Sequence, residues 1–110
     1  MMRFQGQADT ASAALYMNKL CKHFAHKVAV KVDQQQAQAD FPFGHCTMLA
    51  THQQLQFDCT AADLKAAIQL RFVLDDHLQR FARREALRIE WDAQALPPLS
   101  AAEPTEEPSA

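Results

Sequence analysis

Glycine is almost missing from this chain: Gly6 and Gly44 are the two in 110 residues. A phosphate-cradling glycine loop of the nucleotide-binding kind is therefore excluded, because such loops need several glycines at fixed spacing. Cysteine is equally sparse. Cys21, Cys46 and Cys59 are odd in number and lack a C-x-x-C spacing, so no disulfide framework is expected and a reducing compartment fits best. No apolar run approaches the roughly 20 residues of a membrane span. The stretch Met1-Met2-Arg3-Phe4-Gln5-Gly6 has no apolar signal core. The expectation is a cytoplasmic protein that makes no membrane contact. There is no internal repeat, and no Ser-His-Asp order that helix or strand context would support, so no catalytic set is expected.

Charge of neither sign dominates, with eleven Lys and Arg against thirteen Asp and Glu. Three of the acids, Glu103, Glu106 and Glu107, fall near the end, so up to Asp92 eleven basic residues face ten acidic ones. That balance argues against nucleic acid as a partner. Locally it is uneven: no acid occurs between Asp9 and Asp33, while Lys19, Lys22, Lys27 and Lys31 do. From Leu96 on, Pro97, Pro98, Pro104 and Pro108 alternate with glutamate and small residues, a composition that buries too little apolar area to order a chain. Residues 1–93 are expected to form a single domain and 94–110 a disordered acidic, Pro-rich tail.

Period-two alternation marks most of the remainder. Residues 3–9 form a short first strand, with Thr10 or Ser12 as the N-cap of a helix reaching about His26. Val28, Val30 and Val32 describe a half-buried strand that turns at Asp33-Gln34-Gln35 into Ala37, Ala39 and Phe41. At Phe41-Pro42-Phe43-Gly44 the strand is expected to end or bulge at a sheet edge, since proline removes a ladder donor. Cys46, Met48 and Ala50, then Leu55, Phe57 and Cys59, form a second hairpin. Cys46 and Cys59 read as small buried thiols. The opposite faces carry Thr47, Gln54, Gln56 and Asp58, so that side is expected to meet water, Leu49 being the exception. Thr60-Ala61-Ala62-Asp63 resembles a capping box. It opens a long helix with Leu64, Ala67, Ile68, Leu70, Leu74, Leu78 and Phe81 as its apolar stripe. Leu87, Ile89 and Trp91 close as a last strand. The fold class is α+β, an antiparallel sheet with two helices on one face, in the order β-α-β-β-β-β-α-β.

The unusual chemistry lies along those two helices. On the first, Tyr16, Met17, Leu20 and Phe24 face the core, His23 borders that face, and Lys22 and His26 lie further round the same flank. Cys21 projects to the other side, so Cys21, His23 and His26 cannot ligate one metal ion from one helix, and no metal site is expected. On the second helix His77, Arg80 and Arg84 lie beside the apolar stripe. His23, His26, Lys22, His77, Arg80 and Arg84 are the candidate ligand-binding residues. If the two edges face each other, they make a basic groove for an anionic ligand, with Asp75, Asp76 or Glu85 available to neutralise it. If not, these cations only complement helix ends, where each contributes about 0.3–1 kcal/mol, and the protein is a structural or interaction domain without a small-molecule site.

Three blocks in this order, Leu20-Cys21-Lys22-His23-Phe24-Ala25-His26-Lys27, Asp40-Phe41-Pro42-Phe43-Gly44 and His77-Leu78-Gln79-Arg80-Phe81-Ala82-Arg83-Arg84-Glu85, resemble the bacterial domain of unknown function 2218. The likeness covers residues from about 10 to 92. It names no reaction and no cofactor. It implies a setting, since similar domains occur beside or fused to siderophore-interacting flavin reductases and iron-uptake genes. The expectation is an accessory module for an anionic ligand such as a ferric chelate, with such a reductase as partner.

Overall fold

A computed structural model describes residues 2–92. Strand β1 (Met2–Asp9) leads into helix α1 (Ala13–Phe24), followed by β2 (Ala29–Asp33), β3 (Gln36–Phe41), β4 (Gly44–Ala50), β5 (Gln54–Ala61), helix α2 (Leu64–Phe81) and a two-residue β6 (Glu90–Trp91). The six strands make one antiparallel sheet in the order β2-β3-β4-β5-β1-β6. The expected order of elements and the α+β class stand. The expected tail falls on residues outside those described.

Register follows from the alternation. Phe4, Ala8, Ala37, Ala39, Cys46, Met48, Ala50, Leu55, Phe57, Cys59 and Ala61 are buried on one sheet face. Many are alanine or cysteine, which leaves room for the larger Met17, Leu20, Leu70, Leu74 and Leu78 of the helices to come down between them. All three cysteines are buried free thiols, and Cys46 lies opposite Cys59 across β4 and β5. Contact with Cys59, together with burial, holds the Cys46 thiol well above the ordinary cysteine range. The other face carries glutamine, threonine and charge, including the paired Arg3 and Asp58, whose guanidinium donates at 3.0 and 2.8 Å. Leu49 stands on that face 41% exposed.

Several local expectations change. The Phe41-Pro42-Phe43-Gly44 segment is a tight hairpin inside a four-strand meander, since Phe41 pairs Gly44 and only Pro42 and Phe43 lie between. Pro42 sits where no ladder donor is needed. Gly44 serves close approach, because an added Cβ would lie 2.5 Å from the Thr60 carbonyl oxygen. The edges are β2 and β6, and on β2 Val32 is 49% exposed. Helix α1 ends at Phe24, its last carbonyls closed by Ala25 N–H to Cys21 at 2.9 Å and Lys27 N–H to Phe24 at 3.0 Å. Thr60 is still strand, and Asp63 caps α2 by accepting the Ala66 N–H at 2.8 Å.

The helices run antiparallel, because Tyr16 near the start of α1 meets Glu85 beyond the end of α2 while His23 meets His77. Glu85 anchors that end by accepting from Tyr16 Oη at 2.5 Å and Thr10 Oγ1 at 2.9 Å. Helix α2 stops at Phe81, and the short 3-10 turn Arg83–Glu85 follows, ending on Ala86 at φ 52°. Leu87 and Ile89 are buried as expected, but only Glu90 and Trp91 pair as strand.

Candidate functional site

The rows of α2 explain how one helix serves two surfaces. Ala67, Leu70, Leu74 and Leu78 are fully buried. Val73 and His77 lie on the flank toward α1, and Arg71, Asp75 and Gln79 on the other. The α1 flank meets the end of α1 and the β3–β4 hairpin around a cleft of about 320 Å³. His23 and Phe24 line it from α1, Lys27 and Val28 from the following turn, Phe41, Pro42 and Phe43 from the hairpin, and Val73 and His77 from α2.

At its rim is the histidine pair, with ring centroids 4.6 Å apart. His77 Nδ1 lies 2.7 Å from the Val73 carbonyl oxygen, so the Nδ1–H donates there and fixes the ring's orientation. His23 sits edge-on to Phe24 at 5.9 Å and to Phe81 at 5.8 Å. Phe24 contacts His77 at 5.2 Å and Phe41 at 5.0 Å, and Phe41 stacks on Phe43 at 5.4 Å. Aromatic walls of this kind accept a flat apolar body, and the imidazoles with Lys27 offer donors to an anion at its edge.

Partial burial against those rings lowers the His23 pKa, and nearby His77, His26, Lys27 and Arg80 lower it further. The unfolded chain then holds the His23 proton more tightly than the folded one. Stability is lost as pH falls from about 6.5, the ordinary value, through the lower folded one. The fall in melting temperature between pH 7 and pH 5 is expected to be smaller in His23→Gln than in the natural sequence. Equal pH slopes would show that His23 is not under this strain.

Of the six candidate residues, the fold brings His23 and His77 together. His26, in the turn after α1, and Arg80 are near enough to act on the His23 charge but do not line the cleft. Arg80 is engaged by Asp76 at 3.2 Å. Lys22 is solvent-exposed on α1. Arg84 lies beyond the end of α2, so helical spacing from His77 no longer applies to it. Of the acids considered as neutralisers only Asp76 acts there; Glu85 and Asp75 serve partners elsewhere. The candidate set omitted Lys27, which helix periodicity places beside the buried face of the first helix, and the hairpin phenylalanines, whose signal was two aromatics flanking a proline.

The family described as "Uncharacterized protein conserved in bacteria (DUF2218)" matches residues 5–92. The chain belongs to that family. It is also similar to a protein of known structure, the NMR structure of PA4090 from Pseudomonas aeruginosa, at 34% identity and a TM-score of 0.72, covering 87% of this chain and 99% of the other. No curated protein matches. Both helices, the hairpin and the histidine cleft fall inside the span that defines this DUF2218 domain. No helix among the described residues is long and apolar enough to cross a membrane.

Proposed function

We propose that this domain is a binding module for a small anionic ligand with a flat apolar body, and that the histidine cleft is where the ligand sits. The observation that carries this reading is the His23–His77 pair, 4.6 Å apart, at the rim of a phenylalanine-lined cleft that Lys27 also enters. Two imidazoles this close disfavour joint protonation unless an anion joins them, which gives such a ligand a differential interaction to exploit. Aryl carboxylates and the aryl arms of ferric chelates are the class that matches these walls. The iron-uptake setting implied by the family resemblance makes a ferric chelate the first ligand to test, and a siderophore-interacting reductase the partner such a module would serve.

The test is thermal shift of the full chain with 2,3-dihydroxybenzoate and its ferric complex. A ligand at a hundred times its Kd should stabilise by about 2.7 kcal/mol. Binding should tighten as pH falls toward the lowered His23 pKa, with proton uptake, because the anion favours the charged His23 imidazole. His23→Ala with Lys27→Ala should abolish the shift while the unliganded protein stays folded. No response across the series, or a full response from the double variant, would leave the reading in which the histidines only stack and the domain serves protein interaction.

A further inference from the structure

On its other flank α2 faces a second cleft, of about 370 Å³, that shares no residue with the first. Arg71, Asp75 and Gln79, spaced by four, form one wall. The chain then turns at Ala86 and brings Arg83 and Arg88 to the same opening, with Trp91 opposite. We propose that this cleft is a binding site for the phosphate monoester of a small organic molecule, held by Arg71, Arg83 and Arg88.

Charge argues for it first. Among the described residues that line the cleft, three are arginine and one, Asp75, is acidic, two positive charges in excess. A phosphate monoester carries about −1.5 to −2 at pH 7, and its oxygens suit the fixed fork of arginine donors. The other acids closest in sequence are used elsewhere or do not line the site: Glu85 accepts from Tyr16 and Thr10, and neither Glu90 nor Asp92 lines it.

The single carboxylate is also weakened as a competitor. Asp75 Oδ1 accepts the Trp91 indole N–H at 2.9 Å, and its Oδ2 lies 3.9 Å from Arg71 Nε. Burial raises the Asp75 pKa, against the opposing pull of Trp91 and Arg71. The Arg71 side chain is 13% exposed, so a cation is held at the floor of the cleft, where it is screened less than at the surface. Trp91, packed on Phe4 at 5.3 Å and Phe57 at 5.9 Å, and the buried Ile89 add an apolar wall. That wall, and a volume with room for more than a phosphoryl group, point to an ester rather than the bare ion.

Trp91 is the only tryptophan in the chain, so its fluorescence reads this cleft directly. The full chain titrated with phenyl phosphate should give a saturable change that inorganic phosphate competes away and that phenol, or chloride at equal ionic strength, does not produce. Arg83→Gln and Arg88→Gln should each weaken binding about tenfold, the loss of one charge-assisted contact. Asp75→Asn keeps an acceptor for the indole and should tighten it. His23→Ala should leave the titration unchanged, which separates this site from the histidine cleft. A linear, unsaturated response, or one undiminished in the Arg83→Gln, Arg88→Gln double variant, would overturn the proposal and leave Arg83 and Arg88 as solvated surface cations. Both arginines are exposed, so these variants should fold and decide the matter even if Asp75→Asn disturbs the Trp91 packing.

Discussion

Phe57→Ala should remove about 3–5 kcal/mol of stability, the range for truncating a buried aromatic where the surroundings relax only in part. Phe57 is 2% exposed, on a strand with neighbours on both sides, opposite Met48 on one and Gly6 on the other. Neither neighbour can refill the space without leaving its own register. Against a typical total of about 5–15 kcal/mol, the variant would be close to unfolded at 37 °C. Leu49→Ala is the control, since Leu49 lies on the water-facing side of the adjacent strand, 41% exposed, and should change stability by no more than about 0.5 kcal/mol. Urea unfolding followed by circular dichroism measures both. Equal losses would mean that the two faces of the sheet are not divided into core and solvent as described.

Gly44→Ala should cost about 1–3 kcal/mol through overpacking. The reason is space, since no glycine in the described chain has a positive φ. The new methyl would meet the Thr60 carbonyl oxygen at 2.5 Å and Leu70 Cδ2 at 3.0 Å. The first of these is the backbone of the neighbouring strand, so β4 and β5 must part at the base of the hairpin that carries Phe41 and Phe43. The histidine cleft should therefore loosen along with the fold. Gly6→Ala makes a useful comparison, because its methyl would meet side chains rather than backbone, Trp91 at 2.6 Å and Ile89 at 2.8 Å, beside a two-residue edge strand. Melting temperatures of the two variants check this ordering. A Gly44→Ala protein as stable as the natural one would show that β4 and β5 can separate there without loss.

The binding surfaces were legible in the sequence only in part. Each histidine was visible at the edge of an apolar stripe, because a period of 3.6 reports where a side chain points relative to its own helix. Arg84 was assigned the same way and fails for a local reason: Ala82, at φ −110° and ψ 35°, ends the helix before Arg84. The arginine cleft was not visible at all. Arg71, Arg83 and Arg88 belong to a helix, a 3-10 turn and the approach to an edge strand, and no single period relates them.

Alternation and apolar spacing by themselves determined the order of elements, the division of the sheet into a buried and a wet face, and the side of each helix that meets the core. These follow from local backbone geometry, which any segment carries within itself. Tertiary structure alone decided that the helices run antiparallel with His23 against His77, that Asp76 goes to Arg80, Asp75 to Trp91 and Glu85 to Tyr16 and Thr10, and that Pro42 sits in a hairpin. The physical reason is that a side chain's direction from its own axis says nothing of what lies across from it. Partners far apart in sequence are chosen by how the whole set of elements packs, and each acid here had several bases within equal reach along the chain.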